Sequence, residues 1–171
     1  MNSKKGFILL EITIAFMLMC LLFATFYQSF LQMAVSMRKI YDDVELNRVA
    51  WAVMATVESE IMYGSQQVIL QENKYGSRIV CRHIGPKRTV IFYCSNVAGT
   101  MEKVVVYKST QIAGRPEGIN PLSSQLVSAE KFRVEKIDGR TLRLEMELKI
   151  VKTGRRKIFI EVIRLCNGHV V

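Results

Sequence analysis

The sequence predicts an α+β chain in which one long N-terminal helix is followed by an antiparallel β-sheet head. Three observations carry that expectation. Residues 12–37 contain no charged side chain. Leu46, Ala50, Val53, Val57 and Ile61 recur at spacings of 4, 3, 4 and 4, which is one face of a helix. Leu142, Leu144, Met146, Leu148 and Ile150 alternate with Arg143, Glu145, Glu147 and Lys149, the period of a strand with one face in a core and one in water. The 171 residues suffice for one ordinary domain, and an apolar fraction of 50% excludes a disordered chain. With only 10 Gly and 3 Pro, collagen-like and proline-rich architectures are excluded too.

The first element begins after a short polar stretch, residues 1–6, that carries Lys4 and Lys5. The 26 uncharged residues of 12–37 span roughly 39 Å as a helix, more than a hydrocarbon core of about 30 Å. Backbone groups in lipid must be satisfied internally, so a spanning segment here is helical. Lys4 and Lys5 favour a cytoplasmic N-terminus, while Arg38 and Lys39 pull the other way, so loop charge alone leaves orientation open. A cleaved secretory signal has a shorter apolar core and closes on an Ala-x-Ala pattern, which is missing. A lipoprotein signal ending at Cys20 requires a small residue where Met19 stands. A retained anchor is the reading that remains.

Glu11 makes that anchor specific. A carboxylate in a membrane helix costs about 2.5–3.5 kcal/mol on insertion scales when central, less if it reaches the headgroups. Gly6-Phe7-Ile8-Leu9-Leu10-Glu11, preceded by Lys4-Lys5 and followed by Ile12-Thr13, resembles the class III leader of type IV pilins and pseudopilins. The resemblance implies cleavage by a prepilin peptidase between Gly6 and Phe7, and N-methylation of the new Phe7 terminus. It also implies that Glu11 pairs with the terminal amine of a neighbouring subunit during assembly, so that two charges unfavourable alone in lipid neutralise each other. Major type IV pilins usually have proline at the position of Gln28 and glycine at that of Cys20. Their absence points to a minor subunit.

Past residue 37 the helix is expected to continue as an amphipathic segment, 38–63. Asp42, Asp43, Glu45, Arg48, Glu58 and Glu60 supply its polar side, Trp51 and Met54 widen its apolar stripe, and the stripe packs on the following sheet. Tyr63-Gly64-Ser65 is the expected stop, with Gly64 taking the left-handed conformation. A helix over 7–62 would span roughly 84 Å. In the head, 64–171, strands are predicted at 77–83, 89–95 and 101–108, with Gly85-Pro86-Lys87-Arg88 as a turn and 110–124 as a surface loop. Residues 132–137, 140–152 and 155–165 read as a three-stranded meander turning at Asp138-Gly139 and Thr153-Gly154. Leu126-Val127, Phe132-Arg133-Val134 and Ile163-Arg164-Leu165 give this part a loose similarity to J-type minor pseudopilins and competence-system minor pilins.

Cys81 and Cys94 fall on the strands flanking the Gly85-Pro86 turn. A register pairing positions that sum to 175 sets them opposite one another, where the alternatives are a disulfide, permitted outside the cytoplasm, or two buried thiols. Cys20 is expected to pack as a small apolar side chain, and Cys166 has no evident partner. There is no C-x-x-C pair, and His83 and His169 lack ligand spacing, so neither a metal nor a cofactor is expected. No G-x-S-x-G, H-E-x-x-H or P-loop pattern occurs, and a lone Cys81/His83 pair on one strand face is weak ground for a nucleophile. The chain is expected to be a peptidase substrate, not an enzyme.

The net charge of +9 falls to +7 without the leader. Residues 130–165 hold 11 Lys or Arg against 6 Asp or Glu, densest at Arg155-Arg156-Lys157. That cluster is either a solvated hairpin tip or a contact for DNA phosphates and other anionic polymers.

The expectation is therefore a minor subunit of a type IV pilus, a type II secretion pseudopilus or a competence pseudopilus. It would be held in the cytoplasmic (inner) membrane with its head outside, then packed by its 7–37 helix into a pilus or pseudopilus. Its expected partners are the prepilin peptidase, other pilin subunits, an inner-membrane assembly platform and membrane lipid. The competing expectations are a single-pass membrane protein with an extracytoplasmic binding or sensor head, and a DNA-binding minor pilin.

Overall fold

A computed structural model describes residues 3–83, 88–97, 103–124, 126–166 and 168–171, with 3–6 as backbone. The expected Gly85-Pro86-Lys87 turn and leader residues Met1 and Asn2 lie outside the described residues. The chain divides into two compact units, Met1–Tyr41 and Asp42–Val171. The first unit is helical: α1 (Ser3–Ser59) begins there and its later turns belong to the second. This helix is long and apolar enough to cross a membrane, and none of its most apolar window is buried.

In the second unit α1 passes into one π-helical turn, Glu60–Gly64, and then into β1 (Ser65–Asn73). The remaining strands are β2 (Gly76–His83), β3 (Arg88–Asn96), β4 (Val104–Ile112), β5 (Gly118–Pro121), β6 (Val127–Lys136), β7 (Thr141–Ile150), β8 (Arg156–Arg164) and β9 (His169–Val170). They form a six-stranded sheet ordered β5-β4-β3-β2-β1-β9 and a three-stranded sheet ordered β6-β7-β8. The single sheet expected for the head is thus two. All pairings are antiparallel except β1 with β9, where Gln67 and Val68 lie beside His169 and Val170.

The meander sits where the alternation placed it, and all five apolar side chains from Leu142 to Ile150 on β7 are buried. So are Leu46, Ala50, Val53, Val57 and Ile61 of the helix, together with Val49. Each such large side chain contributes about 1.5–3 kcal/mol relative to exposure. Trp51 departs from the expectation: it is 76% exposed, because it lies a full 100° beyond the buried Ala50 on the helical wheel. Gly64 ends the helix as expected, but not by a left-handed backbone. Its missing Cβ would stand 2.3 Å from His83 Cε1, so glycine is there to admit the imidazole. The expected 110–124 loop contains β5, whose residues 118–121 pair with 107–110 of β4.

Serine hydroxyls join the two sheets. Val134 N–H donates to Ser77 Oγ at 2.9 Å and Val104 N–H to Ser128 Oγ at 3.1 Å. The chain's end adds a second tie, since Val171 N–H donates to Val68 O at 2.9 Å and Val170 N–H to Gly139 O at 3.0 Å. These bonds satisfy backbone groups that sheet pairing leaves open, which burial demands.

Candidate functional site

In the first unit Gly6 and Phe7 are consecutive residues of α1, and Phe7 is exposed. Glu11 lies one turn further on, exposed among Ile8, Leu9, Leu10, Ile12 and Ile14, and no described side chain pairs with it. The hydroxyls of this unit bond back to their own helix: Thr13 Oγ1 donates to Leu9 O at 2.7 Å, and Ser29 Oγ to Thr25 O at 2.9 Å. Such back-bonding removes their need for water and leaves Glu11 as the anionic group of an otherwise apolar surface. Cys20 is exposed on the same surface, so it does not pack within its own chain.

The second unit holds a cluster that the sequence did not announce. At the π turn, the Glu60 carboxylate meets Lys108 Nζ at 2.6 Å, Arg88 at 3.0 Å and His83 Nε2 at 3.1 Å, and its side chain is 12% exposed. Ser65 Oγ donates to Glu60 O at 2.7 Å. Burial lowers the His83 pKa, outweighing the attraction of Glu60, and Arg88 and Lys108 push the same way. Cys81 is held up to about 11 by burial, opposed by a hydrogen bond with Ser65. A buried protonated thiol is the opposite of an activated nucleophile, so the cluster pins the helix end to β2, β3 and β4 and offers no nucleophilic chemistry. Its members come from four elements with no motif spacing, which is why sequence reasoning missed it.

The Cys81–Cys94 pairing is corrected. In the β2–β3 ladder Cys81 lies opposite Val90, while Cys94 lies opposite Val106 on β4. Cys94 is therefore four residues along β3 from the position facing Cys81, about 13 Å, well beyond disulfide reach. Both are free, buried thiols, and burial raises Cys94 to about 12.

In the basic cluster Arg156 and Lys157 are exposed and Arg155 is half-buried. Arg155 bonds Asp43 at 2.6 Å, and Lys157 Nζ donates to Asn47 Oδ1 at 2.9 Å. Arg156 lies 3.7 Å from Glu147 and 4.0 Å from Glu130. The hairpin folds beside the acidic start of this unit's helix, so Asp43, distant in sequence, pairs with Arg155, while Lys157 bonds a neutral amide.

A polar cleft of about 280 Å³ opens on the outer face of the six-stranded sheet, lined by Asn73, Arg78, Tyr93, Ser109 and Glu117 among others. Arg78 Nε is buried without a hydrogen-bond partner. Tyr93 stacks on Tyr107 with centroids 5.7 Å apart, and burial, then the Glu117 charge, raises its pKa. Hydrogen bonds from Ser109 and Gln111 hold Glu117 low. Among the described residues no three His, Cys, Asp or Glu side chains converge as a metal site. No protein-family model matches the chain, and neither does any curated protein or solved structure.

Proposed function

We propose that this chain is a minor structural subunit of a type IV pilus or pseudopilus, made with a leader that a prepilin peptidase removes between Gly6 and Phe7. The observation that carries the reading is one carboxylate, Glu11, fixed one turn after Gly6-Phe7 on a helical stretch, 7–41, whose large apolar side chains are all exposed. That surface suits lipid first and neighbouring subunit helices afterwards. Glu11 then pairs with the methylated amine of a neighbouring Phe7, which removes the cost of holding either charge in an apolar filament core. The head stands outside the cytoplasmic membrane, and the inner-membrane platform and other pilins are its partners. A DNA-binding minor pilin is the second reading: Arg156 and Lys157 are exposed, and Lys157 bonds the neutral Asn47, although Arg155 and Arg156 lie beside acids.

The test is the intact mass and N-terminal sequence of the protein expressed with and without a prepilin peptidase. The expected result is a terminus at Phe7 that depends on the peptidase and is lost on Gly6→Val. A chain that keeps residues 1–6 beside an active peptidase would refute the reading and leave an anchored binding head as the better account.

A further inference from the structure

Strand β8 closes one side of the three-stranded sheet, with no described strand beyond it. Ile150 N–H donates to Arg155 O, and Leu165 N–H donates to Arg140 O, both at 2.8 Å. These bonds place the odd-numbered residues of 155–165 in the hydrogen-bonded pairs with β7. The N–H and C=O groups of Arg156, Ile158, Ile160, Val162 and Arg164 therefore aim at the open edge, and no described group bonds to them. The opposite edge, β6, differs: there Ser77 and Ser128 connect it to the larger sheet.

Side chains add a pattern to this edge. Ile158, Ile160 and Val162 share the outer face and are 56%, 54% and 60% exposed. On the inner face Lys157, Phe159 and Glu161 follow in a row. Glu161 keeps a buried oxygen, Oε2, with no hydrogen-bond partner, although burial and the nearby Glu58 both disfavour its charge. Trp51 lies between Asn47, which holds Lys157, and Glu58 on the same side of the helix, and is itself exposed.

We infer that the β8 edge is a docking site for an extended segment of another polypeptide, which adds as a further strand to β6-β7-β8. An open strand edge selects extended backbone, and alternate side chains then set specificity. The chemistry asks for β-branched residues beside Ile158, Ile160 and Val162, a carboxylate opposite Lys157, and a lysine or arginine opposite Glu161 that satisfies its orphan oxygen.

The test uses the full ¹⁵N-labelled chain in detergent micelles. The probe is the blocked peptide Thr-Lys-Val-Tyr-Ile-Glu-Thr, designed to lie antiparallel with its Lys opposite Glu161 and its Glu opposite Lys157. Saturation is expected to slow amide exchange of Ile158, Ile160 and Val162 by about tenfold or more. A peptide with Lys and Glu exchanged should bind about fivefold more weakly, the scale of one exposed ion pair. Ile160→Pro removes an outward N–H that the β7 pairing does not use and should abolish protection. Ile160→Lys, which keeps the backbone intact, should weaken binding through the lost apolar contact. The inference is overturned if those three amides stay unprotected, if both Ile160 variants bind as the parent does, or if the edge is already occupied by self-association.

Discussion

Replacing Gly76 with alanine tests how the two sheets of the head meet. Gly76 follows the Lys74-Tyr75 turn with φ at +127°, a region that L side chains rarely adopt. An added Cβ would lie 2.2 Å from Phe132 O of β6. Backbone strain alone costs about 1–2 kcal/mol. Relieving the clash requires β2 and β6 to part by about 1 Å to restore ordinary contact. That displacement stretches the 2.9 Å bond from Val134 N–H to Ser77 Oγ beyond useful length. A buried N–H left unpaired adds about 1–3 kcal/mol, so the total is about 2–5 kcal/mol. Gly114→Ala is the control: its φ is +80°, but no atom lies within 4 Å of the added Cβ. It should cost only the strain, about 1–2 kcal/mol. Urea unfolding of the full chain in micelles, followed by the β-sheet circular dichroism signal, measures both. Equal shifts for the two variants would refute the close approach of β6 to Gly76; a Gly76→Ala chain that fails to fold while Gly114→Ala folds agrees with it.

Three further outcomes are expected. Glu60→Gln leaves Lys108 and Arg88 without their shared carboxylate and should lower stability by about 2–3 kcal/mol, discounted because Arg88 is partly exposed; an unchanged urea midpoint would refute it. Because burial depresses the His83 pKa, the unfolded chain binds this proton more readily. Stability should therefore fall as pH drops through about 6.5, and His83→Gln should flatten that slope between pH 7 and 5, as read from midpoints across pH. Alkylation of the folded chain at pH 8, read by peptide mass spectrometry, should modify the exposed Cys166 and spare Cys81 and Cys94, whose thiols sit near 11 and 12; a disulfide-linked peptide containing both would overturn the observed register.

The long helix, its buried stripe and the β6-β7-β8 meander were legible in the sequence because their periodicity is local. Whether a residue faces inward is written in its neighbours two, three or four places away. The helix end at Gly64 was legible by residue type and not by cause: its role depends on His83, a contact that no local pattern encodes. The Cys81–Cys94 register failed for a definite reason. The expected and observed pairings differ by four residues, an even shift, which leaves every β2 and β3 side chain on the same face, so the burial pattern fits both equally. The Glu60 cluster was illegible because Arg88 and Lys108 lie 28 and 48 residues further along the chain. Trp51 read as core by composition alone, and the helical angle set it outside.

By itself, then, the sequence determined the long helix and six of the nine described strands, missing β1, β5 and β9, and set a single acid beside Gly6 and Phe7 in a run that water would not hold. Only the tertiary structure decided that the head is two sheets joined through serines, that Glu60 gathers three distant side chains, that Arg155 pairs with Asp43 of the helix, and that β8 keeps an open edge. Secondary structure follows from repulsion and burial between near neighbours, whereas register, sheet division and ion pairing depend on which distant segments meet in space.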